Sequence, residues 1–407
     1  MSGPVHHTDH TDPAAALGAE LADVPAPRSG PRRVTFAVVG VVAVALLFGV
    51  PWWLLVVNGQ EWPGWLVAVG TVAPAGMALA FPVLMARGHA RGSDRASLVA
   101  DTTLGVIWVV FTWSIIGSLV GLALAVAGVD NPGRARWVTL GVLVVSAILL
   151  AHGHFEAMRV PRVRRTEVRI PRLGPGLDGL RLVLLADTHY GPIDRSRWSE
   201  KTVAAVNALE PDVVAHAGDI ADGRVAEREP QSRHLGDVRA ALARVYVTGN
   251  HEYYSQAQEW LDHMADLGWE ALHNRHVVIE RDGSRMVVAG TDDRTAHGSG
   301  LPGHAADVPQ ALAGADPDLP VLLLAHQPKQ VDEAVAAGVD LQVSGHTHGG
   351  QIWPFHWLVR TEQPWLQGLT RLNDRTALYT TRGAGFWGPP FRVFAPSEIS
   401  LLVLRTG

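Results

Sequence analysis

Four short strings near the middle and end of the sequence carry side chains that bind divalent metal ions. Each string follows an apolar, strand-like run, and together they offer carboxylates, an amide and imidazoles. Two divalent cations about 3.5–4 Å apart are a common device for cleaving phosphate esters, and this donor set suits such a pair. The strings are Asp187-Thr188-His189, Gly218-Asp219-Ile220-Ala221-Asp222, Gly249-Asn250-His251-Glu252 and Gly345-His346-Thr347-His348-Gly349-Gly350-Gln351.

The spacing inside the strings favours shared binding of a cation. Asp187 and His189 lie two residues apart, so both side chains point to one side of an extended turn. Asp219 suits a bridging position because a carboxylate has two oxygens. Asn250 offers a neutral oxygen, which limits the negative charge of the site.

Three further histidines complete the donor set. His326 follows another strand-like run, and His346 and His348 alternate across a loop whose glycines let the backbone fold tightly. Each string alone is typical of a turn, a helix cap or a hydrogen-bonded histidine. Because all of them occur together, each at the end of a strand-like run, we interpret the set as a site for two metal ions.

Strand-like and helix-like patterns alternate over the second part of the chain. Strand-like runs occupy 181–186, 213–217, 245–248, 321–325 and 341–344, and helical spacing occupies 197–209, 256–267 and 330–337. This alternation predicts an α/β fold whose functional residues lie beyond the carboxyl ends of the strands. All the donor strings lie at such positions.

Taken together, these motifs resemble the calcineurin-like metallophosphoesterase superfamily. Gly-His-Thr-His-Gly-Gly-Gln from Gly345 and Gly-Asn-His-Glu-Tyr-Tyr from Gly249 are similar to its bacterial membrane-associated phosphodiesterase branch, as is the segment 378–399. The resemblance covers about 162–404. It implies a two-sheet β-sandwich flanked by helices and a metal-dependent phosphoric ester hydrolase, and it leaves the preceding apolar region outside.

The resemblance also implies a role for each donor. A hydroxide that bridges the two metals would attack phosphorus in line, and His251 would lie beside the leaving-group oxygen as proton donor or transition-state stabiliser. Mn, Fe or Zn are the implied metals, and the sequence does not choose among them. The implied ligands are Asp187, His189, Asp219 and His348 for one metal, and Asp219, Asn250, His326 and His346 for the other.

Several neighbouring polar residues have less certain roles. Asp222 either holds a ligand imidazole or caps the following turn. No role is assigned to Glu252 from the sequence. Asp292 and Asp293 are interpreted as a loop-capping pair, with support of the site as the alternative. His216 lies within a strand-like run and is expected to be packed rather than catalytic.

Composition divides the chain into an apolar part and an ordinary soluble part. Hydrophobic residues make up 47% and charged residues 18% of the 407 residues, but the long uncharged runs lie in 34–152. The net charge of −5 provides no basic surface for nucleic acid, so no nucleic-acid partner is expected. The absence of cysteine excludes disulfides and thiolate catalysis.

Four apolar runs predict four transmembrane helices, since a span needs about 20 residues. They occupy roughly 34–57, 65–86, 104–129 and 137–155. We therefore divide the chain into a disordered cytoplasmic tail (1–33), four spans (34–155), an Arg- and Pro-rich connector (156–176) and a metallophosphoesterase domain (177–407). Lysine and arginine counts in the short loops place the catalytic domain on the cytoplasmic side of a bacterial-type plasma membrane.

Two other interpretations of the apolar part are weaker. Arg32 and Arg33 resemble a twin-arginine export signal, but the run after them is long and lacks a small-residue cleavage site. A transporter would place ionisable residues inside its spans, and the span interiors carry essentially none. Anchoring is the favoured role.

Aromatic residues after the last donor string bear on the substrate. They form either an interface-dipping rim that admits a lipid phosphodiester or lipid-linked pyrophosphate, or ordinary packing. We predict a membrane-anchored phosphodiesterase; a monoesterase of the same mechanism and a non-catalytic phospholipid sensor are the alternatives. The aromatic residues concerned are Trp353, Phe355, Trp357, Trp365, Phe386, Trp387 and Phe391, with Leu366 next to Trp365.

Overall fold

The computed structural model describes residues 31–407, with side chains from Val38 onward. The tail predicted over 1–33 lies, up to residue 30, outside the described residues. Four helices come first, and each is long and apolar enough to cross a membrane. They are α1 (Pro31–Trp52, extended by a π-helical turn Trp53–Val57), α2 (Gly64–Met85, extended by a π-helical turn Ala86–Ala90), α3 (Asp94–Val126) and α4 (Gly133–Met158).

Helix α3 is longer than a membrane requires. Its 33 residues span about 50 Å at 1.5 Å per residue. The helix begins at Asp94, upstream of the apolar run predicted from residue 104, and Ser93 accepts a hydrogen bond from the backbone N–H of Ala96 as its N-terminal cap. The polar first part of α3 therefore extends beyond the apolar region toward the rest of the protein.

The remaining chain forms two six-stranded sheets with flanking helices, which confirms the predicted fold class. The sheet orders are β1-β12-β2-β3-β4-β5 and β10-β11-β9-β8-β7-β6. Strands β2, β3 and β4 are parallel, and so are β7, β8, β9 and β11. The strands are β1 Arg162–Ile170, β2 Arg181–Leu185, β3 Val213–His216, β4 Ala243–Tyr246, β5 Glu270–Ala271, β6 Arg275–Arg281, β7 Ser284–Gly290, β8 Val321–Leu324, β9 Leu341–Ser344, β10 Gly368–Arg371, β11 Ala377–Thr380 and β12 Glu398–Thr406.

Alternation along the strands builds the core. Leu182 and Leu184 pack between the two sheets, whereas Val183 and Leu185 pack against the outer helices. This is the two-residue period of a strand that is buried on both faces. The helices of this part are α5 Ser196–Asn207, α6 Val225–Ser232, α7 Asn250–Tyr254, α8 Ala257–Asp266, α9 Val308–Ala311, α10 Val331–Ala336 and α11 His356–Glu362.

The apolar helices pack directly on the two-sheet part. A Cβ at Gly105 of α3 would overlap the side chains of Phe391 and Pro389, so glycine permits this close approach. In α4 the carbonyl of Gly153 accepts a hydrogen bond from the backbone N–H of Arg392 at 2.8 Å. One face of each helix thus lies against the loop before β12.

An ion pair between a buried arginine and a half-exposed aspartate makes a second connection. Arg228 of α6 donates to both carboxylate oxygens of Asp94, with Nη1 at 2.9 Å from Oδ2. Its Nε also donates to the carbonyl of Asp222 at 2.9 Å. The start of α3 is therefore linked through one side chain to the loop after β3.

Candidate metal centre

The donor strings converge at one edge of the sandwich. Strands β2, β3 and β4 of one sheet and β8 and β9 of the other end there, and the predicted donors follow these strands. Chain topology thus brings together residues more than 150 positions apart in the sequence, as the hydrogen bond between Asp187 and the backbone of His346 shows.

The backbone at the donors is unusual. Within 31–407, eleven non-glycine residues have positive φ, a conformation that L-residues rarely adopt. Positive φ at a cluster of polar residues is typical of functional sites, where surrounding structure holds the strain. Five of the eleven are predicted metal ligands: Asp187 (55°), His189 (41°), Asp219 (54°), His346 (71°) and His348 (51°).

One donor group contains Asp187, His189 and His348, all buried. The Nε2 atoms of the two imidazoles lie 3.1 Å apart, and Nε2 of His348 lies 3.7 Å from Oδ1 of Asp187. Potential ligand atoms from all three side chains lie within 4.8 Å of one another. Two imidazole nitrogens and a carboxylate so arranged match the ligand types of Zn, Mn or Fe.

The second group contains Asp219, His326 and His346, with Asn250 beside it. Nε2 of His326 lies 3.1 Å from Oδ1 of Asn250 and 3.1 Å from Oδ2 of Asp219. The same Oδ2 lies 3.6 Å from Nε2 of His189 in the first group. Asp219 therefore stands between the two groups, as a bridging carboxylate must.

Hydrogen bonds at the far side of the rings orient these imidazoles. Nδ1 of His326 donates to the carbonyl of Ala217 at 2.7 Å, and Nδ1 of His189 donates to Oδ1 of Asp222 at 2.8 Å. Both Nε2 atoms then face Asp219. Ligand histidines in metalloproteins are held in this way, so the donor chemistry fits two divalent cations.

The pKa values of the donor histidines reflect both burial and the neighbouring carboxylates. Burial alone lowers the pKa of His326, but the carboxylate of Asp219 outweighs burial and raises that pKa well above its usual value. Burial lowers the pKa of His346 to about 3, which keeps this imidazole neutral with a free nitrogen. The carboxylate of Asp219 thus favours positive charge beside His326, whereas burial keeps His346 neutral.

His251 lies beside both groups. Its backbone N–H donates to Oδ1 of Asp219 at 2.9 Å, and its Nδ1 lies 2.7 Å from Oδ1 of Asp222. Burial opposes the charged imidazolium, yet the carboxylates of Asp219 and Asp222 raise the pKa of His251 to about 9. The side chain is thus held beside the centre by contacts with two aspartates.

The structure distinguishes the alternatives left open for the neighbouring residues. Asp222 holds two imidazoles, while Glu252 accepts from the backbone N–H groups of Asp219, Ile220 and Gly249 at 2.9, 2.7 and 2.6 Å. Glu252 therefore shapes the loop after β3 without facing the centre. Burial lowers the pKa of His216 to about 3, consistent with a packed, neutral side chain.

The aspartate pair after β7 lies outside the donor groups. Asp293 caps the next turn by accepting from the backbone N–H of Thr295 at 2.8 Å, as the capping interpretation expected. Asp292 accepts from His273 at 2.7 Å and from Asn274 at 3.2 Å. His273, Asp292 and His304 form a further cluster that the sequence patterns did not reveal, in which His273 is hydrogen-bonded to Asp292 and Nδ1 of His304 lies 4.0 Å from Oδ2 of Asp292.

Two buried arginines were also missed from the sequence. Arg195 donates to the carbonyl of His189 at 2.6 Å and lies 4.5 Å from the rings of both Trp198 and Phe386. Arg392 donates to the carbonyl of His348 at 3.0 Å. The only signal was an arginine inside the apolar run Phe391-Arg392-Val393-Phe394. Both guanidinium groups fix the backbone of proposed ligands.

A cavity of about 380 Å³ opens over the centre. Donor residues form its floor, and residues of α3 and α11 form its apolar walls. Of the apolar residues considered above, Leu366, Phe386 and Phe391 are buried as packing, whereas Phe355, Trp357 and Trp387 are exposed. The lining comprises Leu104, Gly105, Trp108, His189, Asp219, Asn250, His251, Tyr254, His346, Thr347, His348, Gly350, Gln351, Ile352, Phe355, Val359, Glu362, Gln363, Trp387 and Pro389.

Comparison with known proteins identifies the family. The calcineurin-like phosphoesterase family matches residues 180–350, the region that holds all the predicted metal ligands. A transmembrane protein with metallophosphoesterase domain from Bos taurus is 34% identical over 327 residues, which cover 76% of this chain and 74% of the relative. An uncharacterized metallophosphoesterase from Campylobacter jejuni is 35% identical, with 65% of this chain and 69% of the relative covered.

A third relative extends beyond the matched region. The transmembrane protein with metallophosphoesterase domain from Danio rerio is 38% identical over 274 residues, which cover 66% of this chain and 62% of the relative. The match thus spans less than two thirds of that protein.

Proposed function

This chain belongs to the calcineurin-like phosphoesterase family, and on that premise we propose that it hydrolyses a phosphodiester or pyrophosphate at the membrane with two divalent metal ions. The observation that carries the proposal is the position of Asp219 between two groups of buried donors. When bound, the metals supply an activated water and neutralise charge on the phosphoryl oxygens.

We assign the ligands by the two donor groups. Asp187, His189, Asp219 and His348 would hold one metal, and Asp219, Asn250, His326 and His346 would hold the other. Three carboxylate or amide side chains and four imidazoles provide the oxygen and nitrogen ligands that Mn, Fe and Zn accept.

His251 has the position of a leaving-group acid. It lines the cavity, and its Nδ1 is held by Asp222, so Nε2 is the atom available to the substrate. A protonated Nε2 can donate to the oxygen that leaves phosphorus, which lowers the barrier when that oxygen belongs to a poor leaving group. The hydrogen-bonded pair of Asp222 and His251 argues against a purely non-catalytic sensor.

The charge of the cavity favours a diester over a monoester. Among the lining residues that the structure describes there is no lysine or arginine. A monoester carries about −1.5 to −2 near neutrality, whereas a diester carries a single negative charge. With only the metals and histidines to balance the phosphate, the less charged group is the better match.

The orientation follows from the same helices. Arg87, Arg91 and Arg95 lie at the end of α2 and the start of α3, where α3 meets the two-sheet part. By the positive-inside rule we place this end, and with it the metal centre, on the cytoplasmic side. The function of α1 to α4 in this proposal is to anchor the centre at the membrane surface.

Hydrolysis by the full-length protein tests the proposal. Purified protein in nanodiscs is assayed on bis(p-nitrophenyl) phosphate and p-nitrophenyl phosphate with Mn²⁺, Zn²⁺, Fe²⁺ or chelator. We expect metal-dependent cleavage of the diester that Asp219→Asn abolishes and the exposed control Asp318→Asn retains. Preference for the monoester would overturn the diester assignment, and metal binding without any turnover would favour the sensor.

A further inference from the structure

The cavity over the metal centre is shared between the catalytic part and a membrane helix. Leu104, Gly105 and Trp108 of α3 line one wall, and Phe355 and Val359, before and within α11, line another. Donors such as Asp219 form the floor. One continuous space therefore has an apolar end and a phosphate-binding end, which is the polarity of a lipid with a phosphate head group.

We propose that this cleft between α3 and α11 holds the hydrocarbon chain of a membrane lipid phosphodiester while its phosphate lies at the metal centre. The proposal rests on the phosphoesterase function proposed above and names its substrate class. A volume of about 380 Å³ falls within the range of about 300–1,000 Å³ for ligand pockets. The chain would reach the site from the bilayer instead of from bulk water.

The length of α3 places the apolar wall at the membrane boundary. A helix of 33 residues exceeds the roughly 20 that cross the hydrocarbon core. Its charged residues Asp94, Arg95 and Asp101 all precede Leu104, so the excess lies at this end. Leu104 to Trp108 then stand where hydrocarbon begins, at the depth from which a lipid chain can enter.

The opposite wall is suited to the interface. Trp357 and Leu358 of α11 have exposed fractions of 60% and 54%, so this short helix presents large apolar side chains outward. The guanidinium of Arg360 lies 5.5 Å from the Trp357 ring. Tryptophan and arginine at one surface are typical of the lipid head-group region. The mouth of the cleft thus opens between a span and an interfacial helix.

Two aromatic side chains are in contact where the α3 wall of the cleft meets the α11 wall. The rings of Trp108 and Phe355 meet edge to face, with centroids 5.7 Å apart. The Nε1 atom of Trp108 is buried and, within the described part of the chain, has no hydrogen-bond partner. A buried donor of this kind is costly unless a ligand accepts from it. An ester or hydroxyl oxygen at the base of a lipid chain is such an acceptor.

Chain-length dependence tests the proposal with one reactive group. The substrates are p-nitrophenyl methyl phosphate and p-nitrophenyl hexadecyl phosphate, which release the same phenolate, and the full-length protein is assayed in nanodiscs. We expect kcat/KM to be at least tenfold higher for the hexadecyl ester. Since the chain also concentrates substrate in the disc, the ratio of the two kcat/KM values must be compared between variants.

Val359→Trp fills the cleft and should lower that ratio at least tenfold. Leu358→Trp adds the same side chain on the preceding residue of α11, which does not line the cavity, and should keep the wild-type ratio. Partitioning into the disc is equal for both variants, so it cancels. An unchanged ratio in Val359→Trp would overturn the chain site.

A binding measurement makes the result independent of turnover. Methyl hexadecyl phosphate, a diester with a diazirine in its hexadecyl chain, is photolysed with the protein, and labelled peptides are mapped by mass spectrometry. Labelling of 104–108 and 355–359 that Val359→Trp suppresses is expected; labelling of other spans alone contradicts the proposal. If neither ester is hydrolysed with any metal but this labelling persists, the proposed function fails and the chain site stands.

Discussion

Oδ1 of Asp222 lies 2.7 Å from Nδ1 of His251, and the same oxygen accepts from Nδ1 of His189 at 2.8 Å. One carboxylate oxygen thus orients both the proposed leaving-group acid and a proposed metal ligand. The rings of the two histidines are perpendicular, with centroids 4.7 Å apart. Acid and ligand therefore cannot rotate independently, and the geometry of the centre depends on this aspartate.

Asp222→Asn is expected to impair both functions of this oxygen. A neutral amide oxygen accepts two N–H groups more weakly than a charged carboxylate oxygen does. Loss of such a contact lowers metal affinity or activity about 10–100-fold. Hydrolysis rates and metal content by inductively coupled plasma mass spectrometry measure the two effects. Asp318→Asn, at an exposed aspartate, should change neither quantity. Wild-type rates in Asp222→Asn would show that the contact is incidental.

His251→Gln is expected to act according to the leaving group. For an alkyl leaving group the loss of the proton donor should lower kcat by about 10²–10⁴-fold. For p-nitrophenolate, which leaves without protonation, the loss should be much smaller. His297→Gln, at an exposed histidine, is the control. An equal loss with both leaving groups would assign His251 to charge stabilisation in place of proton transfer.

Metal removal is expected to destabilise the catalytic part. The carboxylates of Asp187 and Asp219 are buried together, and bound cations offset their repulsion. A metal at 100 times its Kd stabilises the folded state by about 2.7 kcal/mol, so chelation should lower Tm by several degrees. Thermal unfolding in nanodiscs with and without EDTA measures this. Asp219→Asn should reduce the shift, and an EDTA-insensitive wild-type Tm would contradict metal binding.

The link between the membrane helix and the centre should be measurable as a coupling. Arg228 joins Asp94 of α3 to the carbonyl of Asp222, and half of the Asp94 side chain is exposed. We expect a double-mutant cycle with Asp94→Asn and Arg228→Gln to give a coupling of about 0.5–1 kcal/mol in unfolding free energy. Additive effects would show that the pair does not hold α3 to the catalytic part.

The hydrogen bond between His273 and Asp292 should make a pH-dependent contribution to the stability of the folded state. The hydrogen bond to Asp292 raises the pKa of His273 above 6.5. A histidine whose pKa is raised on folding stabilises the folded state in full at pH values below its pKa in the unfolded chain. This stabilisation is lost as the pH rises through its pKa in the folded protein. His273→Gln should therefore lower Tm by about 1–2 °C more at pH 6 than at pH 8.5. A larger loss of Tm at pH 8.5 than at pH 6 would exclude a charged His273 in this hydrogen bond.

Local sequence pattern predicted an α/β fold and the candidate donor residues, whereas the two-sheet arrangement was implied by the family resemblance. Parallel strands such as β2 and β3 are buried on both faces and appear as continuous apolar runs, and the polar residue after each run must lie at the sheet edge. The assignment of individual donors to each metal remains a prediction. Pattern could not distinguish the two roles of Asp222, since a cap and an imidazole partner both require an aspartate near a turn.

Sequence pattern also could not tell which aromatic residues near the centre are exposed and which are buried. From the sequence, Phe355, Phe386 and Trp387 had equal claim to a rim, but Phe386 is buried under Arg195 while the other two are exposed. Hydrophobicity gives the tendency to leave water and does not say against which surface. Packing partners from distant segments decide that.

By itself, the sequence determined the chemistry: oxygen and imidazole donors at strand ends, four apolar helices and a family whose members use two metals. Only the tertiary structure decided that Trp108 of a membrane helix and Phe355 of the catalytic part meet over the metal centre. The physical reason is that residue type and period fix local conformation and burial, whereas contact between segments 247 positions apart depends on how complete elements pack.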